Sequence, residues 1–576
     1  MEQQRFFLFI LLTFISYLLW LAWEEDHAPK PTTTISQPNS GVTTLPGTEQ
    51  PVPSSNEDAG MPVPSAVTPS SSAQPSQPSS PVARQGQMIT VETDVFRIKI
   101  DTQGGDIKQV DLLKYPVSID EPDNPFRLMD QSRQRNFTAQ NGFHVTNKDQ
   151  RALTPNRQSV YQTAQTNYTL ADNQDSMDVD LLWTNQAGMT FVIRYHFTRD
   201  SYNIDVTHEV VNTSTQPWVG HSYVRLERTP PKDAGSLAMM PTYTGGVFYS
   251  PDNKYEKVDF DDIDDTREAN RGTLDAIDRE FAGGWIAFIE HYFVGAFVPP
   301  KDDVYRYFTH KPQANGSRYW LALMSTQKTV QPNDKASVNL NLYVGPKIQE
   351  NLEALAPGLE LTVDYGWLTF LSKPIFWVLN WINKFVGNWG WSIILLTLLI
   401  KLVFYKLSET SYKSMARMKK LTPRMQQINE RYADDRQRKG QAMMELYKKE
   451  KVNPMSGCLP ILIQIPVFIA LYYVLLESVE LRQAPWILWI SDLSIKDPYF
   501  VLPIIMGVSM FLQQKLNPAP TDPVQAKVLM FLPAIFTVMF LFFPAGLVLY
   551  WVVNNILSIA QQWYITSIVL KETKPT

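Results

Sequence analysis

Beyond Leu361 the sequence turns strongly apolar, in runs that approach bilayer length, whereas most of the chain before it is polar. A chain of 576 residues divided in this way does not share one core; it predicts a membrane domain attached to a large soluble one. The mean hydropathy of -0.20 therefore averages two unlike halves. The net charge of -5 likewise hides a basic block at 413–451. Cys458 is the only cysteine, which excludes an internal disulfide and a cysteine metal cluster. At the head of an apolar run it reads as a small buried residue.

The segment Trp389–Lys406 holds the problem that organises the rest, because Lys401 lies inside it. An ammonium in hydrocarbon costs roughly 2.5–3.5 kcal/mol on insertion-based scales, so Lys401 needs water, a partner or a job. Snorkelling is one answer, since about 9 Å of helix separates Lys401 from Leu407. A hydrated cavity is the other.

The chain before Leu361 divides into three parts. Phe6–Trp23 is an apolar run behind Arg5, followed by Leu21-Ala22-Trp23-Glu24-Glu25, a poor cleavage site, and reads as an uncleaved anchor within 1–26 with a cytoplasmic N-terminus. Residues 27–88 are Pro, Ser, Thr, Gln and Gly with almost no large apolar side chain, the composition of a disordered tether. From 89 to 346 short alternating runs such as Val95–Ile100 and Phe191–Phe197 predict an all-β sandwich. Six of the seven histidines (His144, His196, His208, His221, His291 and His310) scatter through it without metal-ligand spacing. A carbohydrate site there rests on fold-level analogy alone. The acidic run Asp259–Asp265 lacks the glycine and terminal glutamate of an EF-hand and reads as a solvated loop.

In the apolar half, Leu359–Val386 is interrupted by Lys373, Pro374, Asn380, Asn383 and Lys384, which predicts an amphipathic helix on the outer membrane surface within the connector 347–386. A span follows at Trp389–Leu407, within 387–408. Residues 409–453 carry about a dozen Lys and Arg in a helical pattern broken near Ala433-Asp434-Asp435, a cytoplasmic helical hairpin by the positive-inside rule. Four further spans (Leu459–Leu476, Tyr499–Leu512, Val528–Phe543 and Leu547–Leu570) occupy 454–570, before a tail at 571–576. With the anchor this makes six spans, both termini cytoplasmic and residues 27–386 mostly outside. Two of these runs, Tyr499–Leu512 and Val528–Phe543, are shorter than the roughly 20 residues a bilayer needs, which thins the membrane locally or tilts them inside protein.

No Asp or Glu lies within a span, and no histidine follows His310, which argues against a proton relay or ion-coupled transporter. Thr397, Lys401, Tyr405 and Ser408 share one helical face, Tyr550, Asn554, Ser558 and Gln562 form a stripe on the last span, and Gln464 lies in the span between them. Such stripes commonly glue helices together. Opposite a lone lysine they line a groove able to hold the polar flank of another chain while its apolar part enters lipid.

Gly387-Asn388-Trp389-Gly390-Trp391-Ser392-Ile393-Ile394, Lys451-Val452-Asn453-Pro454, Gly457-Cys458, Gln464-Ile465-Pro466, Val479–Pro485 and Gly546–Tyr550 resemble the bacterial YidC/Oxa/Alb insertase family. Asp94-Val95-Phe96 and Gly104-Gly105-Asp106 resemble the start of its Gram-negative periplasmic domain. The resemblance implies a polytopic α-helical membrane protein with a periplasmic β-supersandwich, an interfacial helix, a five-helix core and a cytoplasmic hairpin. It implies that Lys401 stands where the family carries a groove cation, usually arginine, so that charge is kept and the bidentate fork is lost. Thr397 matches a polar groove position and Tyr550 an aromatic one, while Trp551 replaces a second tyrosine. Ile465 and Phe468 match client-contacting positions, and Tyr405, Tyr412 and Asp522 match cytoplasmic positions tied to ribosome and Sec contacts. Lys406 replaces the usual proline.

The expectation is an insertase and chaperone in the inner membrane, alone or with the Sec translocon, acting as a monomer on client membrane proteins and using no nucleotide, metal or sequence-specific nucleic acid. A channel or transporter would need a continuous polar path. An anchored periplasmic carbohydrate-binding protein would place function at 89–346. A Ser–Lys peptidase would need a serine uniquely placed against Lys401.

Overall fold

The alternating runs form nineteen strands between Met88 and Pro346 in the computed structural model, which describes residues 86–132, 135–231, 242–269, 277–312, 318–432, 435–450, 452, 459–517 and 523–571. The anchor, most of the tether, Cys458 and Asp522 lie outside the described residues. One sheet has eleven strands and the other eight. Neighbours are antiparallel except where Met88–Glu92 runs parallel to Asn167–Thr169. Period-two alternation sends one set of side chains between the sheets, where Phe96, Phe137, Phe191, Trp218, Trp285 and Phe288 are buried. Strand Asn136–His144 is buried along eight of its nine residues.

That burial includes polar groups, and one cluster of them is paired throughout. Gly104 and Gly105 both take positive φ, and a side chain at Gly105 would collide with Ile193 Cδ1 at 2.7 Å. The turn they make carries Asp106 inward, onto Arg157 Nη1 at 2.9 Å and Lys108 Nζ at 2.9 Å. Burial alone would raise the Asp106 pKa, but the two cations hold it below the ordinary carboxylate value. Asn141 joins this group to the opposite sheet, donating to Tyr195 Oη at 2.6 Å and meeting His208 Nε2 at 3.0 Å. His208 also bonds Ser222, and burial drops its pKa to about 3, so it is neutral.

Eleven helices are described: α1 (Lys148–Arg151), α2 (Phe260–Ala269), α3 (Gln349–Leu355), α4 (Thr369–Val386), α5 (Trp389–Val403), α6 (Tyr405–Arg431), α7 (Arg436–Lys449), α8 (Leu459–Glu477), α9 (Val501–Leu516), α10 (Pro523–Phe540) and α11 (Ala545–Lys571). The acidic run at 259–265, expected as a loop, starts α2. Asp259 N–H donates to Asp262 Oδ2 at 3.0 Å, Ile263 is buried, and acids in a first turn suit the helix dipole.

The amphipathic helix begins at Thr369, ten residues later than expected, because 359–368 forms two short 3-10 turns. It buries Ile375, Phe376, Leu379 and Ile382 and exposes Phe370, Trp377, Trp381 and Phe385. Its Lys373 and Lys384 pair with Glu360 and Glu350 at 3.0 and 2.9 Å. The aromatic stripe is thus exposed beside a polar edge whose lysines are paired.

The segment expected as one span at Trp389–Leu407 is broken. α5 ends at Val403, and α6 departs from it at 68°. At the corner Phe404 N–H is shared between the Ile400 and Leu402 carbonyls, and the apolar run gives way to the exposed Lys406. Among the described residues no single helix is long and apolar enough to cross a membrane; the bent pair α5–α6 is so by length and composition together, and Ile463–Glu477, Val501–Leu516 and Lys527–Phe540 are shorter apolar helices. Helices α9 and α10 approach closely at Gly507, where a Cβ would lie 2.0 Å from Thr537 Oγ1. The basic hairpin α6–α7 closes on Leu421, Met425 and Val452, with Met443 and Leu446 packed against them.

Candidate functional site

Lys401 projects from the last turn of α5 and is half-buried. Its Nζ donates to Ser558 Oγ on α11 at 2.7 Å. Ser558 spends its own proton on the Asn554 carbonyl at 2.7 Å, which leaves its oxygen free to accept. The Tyr412 hydroxyl, from α6, reaches the same serine. One turn along α11, Asn554 Oδ1 accepts from Gln464 Nε2 of α8 at 2.5 Å. One turn further, Tyr550 lies beside Gln464. Residues 550, 554 and 558, spaced by four, therefore form one polar ladder that joins α5, α6 and α8 to α11. Among the described residues no carboxylate pairs with Lys401, so the ladder carries one uncompensated positive charge.

The fourth residue of the stripe does something else. Gln562 Nε2 donates to Asn517 Oδ1 at 3.1 Å, and Asn555 Nδ2 to Ser509 Oγ at 3.0 Å, so this side of α11 is tied to α9. Thr397 is 1% exposed, and its hydroxyl bonds the Ile393 carbonyl of its own helix at 2.7 Å, outside the ladder. Phe468 stacks on Tyr550 at 6.2 Å and meets Trp551 edge-on at 4.6 Å. Trp551 Nε1 is buried with no hydrogen-bond partner among the described residues. Ile465 is exposed on α8.

Two family models match consecutive stretches: one described as the YidC periplasmic domain covers residues 88–378, and one described as the 60Kd inner membrane protein covers 381–572. Membrane protein insertase YidC of Nitrosococcus oceani is 48% identical over 569 residues, 98% of this chain and 99% of that one. The protein of that name from Methylococcus capsulatus is 48% identical over 575 residues, 100% of this chain and 99% of its own length. This chain belongs to the YidC membrane protein insertase family. It is an inner membrane protein with a periplasmic domain of β-sheets and C-terminal helices. A solved structure described as an active YidC insertase with its first transmembrane domain resolved matches 84% of this chain and 93% of its own, at 18% identity and a TM-score of 0.37.

Within this YidC-family chain the positions expected on the cytoplasmic side separate. Tyr405 stays partly exposed at the start of α6, and Lys406 is exposed and pairs with Glu409 at 3.3 Å. Tyr412, expected among outward-facing contacts, turns inward instead: it is 7% exposed, packs on Ala416 and Ile565, and bonds Ser558. Tyr405 and Ser408, expected on one helical face with Lys401, lie beyond the Phe404 corner on α6. Ser558 and Asn554 belong to a stripe legible in the sequence. Their role as acceptors for Lys401 and Gln464 depends on helix crossings that join residues 157 and 90 positions apart.

Proposed function

We propose that this insertase moves its clients past the ladder of Lys401, Ser558, Asn554, Gln464 and Tyr550, with a client's polar flank held there while its apolar segment transfers into lipid. The observation that carries this reading is the Lys401 ammonium, held by a serine hydroxyl on a neighbouring apolar helix with no carboxylate partner among the described residues. A cation kept without a carboxylate is electrostatically available to the acidic or polar flank of a client, and in low dielectric it needs water or that client beside it. The driving force is apolar transfer of the client span; the groove lowers the cost of moving what flanks it.

In this reading the chain has six spans: the anchor at 1–26, α5 with the start of α6, and α8 to α11. Both termini lie in the cytoplasm, with 27–88 as tether and 89–346 outside. The short α9 and α10 support local membrane thinning, and the outward aromatics of α4 support an interfacial helix. Ile465 and Phe468 contact the client, with Thr397 and Trp551 behind the ladder. Tyr405 and Asp522 face the ribosome and Sec translocon, and Tyr412 contributes from inside by holding Ser558. The working unit is a monomer.

The test is insertion of a small single-span client by the full chain in liposomes. Lys401→Ala is expected to lower insertion strongly, and equal efficiencies for it and the wild type would reject the groove.

A further inference from the structure

The outer end of α8 has two unmet needs, and the β domain and the residue that follows it meet both. The helix ends on Glu477, an acid where the dipole favours a cation, and it is 3% exposed. The adjacent Leu476 carbonyl is one of the terminal acceptors that a helix leaves without an internal partner. Lys347, which follows the last strand of the sandwich and is 1% exposed, places Nζ 3.4 Å from Glu477 Oε2 and donates to the Thr362 carbonyl at 3.1 Å. His291 Nε2 donates to the Leu476 carbonyl at 2.8 Å. Just beyond, Tyr365 Oη and Ser478 Oγ lie 3.2 Å apart, and Arg482 donates to the Pro116 carbonyl at 2.6 Å. Four contacts from separate parts of the β domain and the connector after it therefore converge on residues 476–482.

Directional bonds at a helix end fix its rotation about its own axis as well as its position. Between Val467 and Glu477 the helix contains no proline, so its hydrogen-bond ladder carries that rotation to Phe468, about 14 Å away at 1.5 Å per residue. Phe468 packs on Tyr550 and Trp551, and Gln464 bonds Asn554.

We infer that Lys347 and His291 are positioning residues of the insertase groove: by capping the outer end of α8 they set the direction in which Phe468 faces. This rests on the groove reading proposed above. Lys347 touches no client; it acts through Glu477.

The test uses the full-length chain in liposomes with a photo-cross-linking side chain at 465 or 468 and a single-span client. Lys347→Met is expected to lower insertion roughly tenfold, the scale of a sub-ångström to ångström misplacement, and to move client cross-links away from 468. Lys347→Arg, and the exchange Lys347→Glu with Glu477→Lys, are expected to restore both readouts. A Lys347→Met protein that folds and keeps both insertion and cross-link pattern overturns the inference. So does one that merely yields less folded protein while the folded fraction cross-links as the wild type does. Lys401→Ala in the same assay separates the two ideas: no effect there sinks the groove and this inference with it, whereas loss there beside an unaffected Lys347→Met sinks this inference alone.

Discussion

The Lys401 ammonium and the Ser558 hydroxyl oxygen lie 2.7 Å apart across the α5–α11 contact, and no carboxylate among the described residues shares that ammonium. A serine satisfies one of three ammonium protons and offers no counter-charge. The bond fixes where the charge sits without neutralising it.

Ser558→Ala is therefore expected to lower client insertion by a few fold, less than Lys401→Ala, because the charge survives but loses its anchor. Lys401→Arg is expected to retain most activity, since a guanidinium also donates to a serine. Insertion of a single-span client by the purified chain measures both. A Ser558→Ala protein more impaired than Lys401→Ala would show the serine acting through something other than Lys401.

Asp106→Asn is expected to destabilise the β domain by about 3–5 kcal/mol, because it leaves the buried Lys108 and the half-buried Arg157 against a neutral amide. Thermal unfolding of the full chain in detergent reads this out. A change below about 1 kcal/mol would mean that the two cations find other partners.

Acid should weaken the same domain. His208 has its pKa lowered by burial from 6.5 to about 3, so the unfolded chain takes up a proton below pH 6.5 that the folded chain refuses until about pH 3. Stability from this group is complete above 6.5 and is lost as pH falls towards 3. Trp218 packs on Phe143, which in turn packs on His208, so Trp fluorescence follows the transition. His208→Gln should flatten the slope between those limits, and an unchanged slope would assign it elsewhere.

The joint between the halves should respond in the opposite sense. Glu480 is half-buried there, with a buried Oε2 that lacks a partner among the described residues, and desolvation with the nearby Glu350 charge raises its pKa from 4.5 to about 7. A raised carboxyl binds its proton more tightly in the folded state, so this contribution is full below pH 4.5 and lost as pH rises through 7. Glu480→Gln is expected to remove that loss, seen as a stability curve that no longer falls between pH 5 and 8. A parallel fall in the variant would refute the assignment.

Much was legible from the sequence because it depends on local pattern. Period-two alternation is what the strands between Met88 and Pro346 share, and the basic helical pattern runs through α6 and α7. Lys401 stood out because one charge in an apolar run is conspicuous in any context. The family motifs located the membrane half. The Phe404 corner was not legible, because neither proline nor glycine marks it and helical periodicity carries on through it.

What the sequence by itself determined is which residues are costly to bury: Lys401, Gln464, Asn554 and Ser558 in apolar helices, Asp106 and His208 in a β core. Only the tertiary structure decided how each cost is met. Ser558 receives Lys401, Asn554 receives Gln464, and Lys347 of the soluble half meets Glu477 at the end of α8. A hydrogen bond or ion pair is set by distances of a few ångströms between helices and sheets far apart in the chain, and no local periodicity encodes those distances.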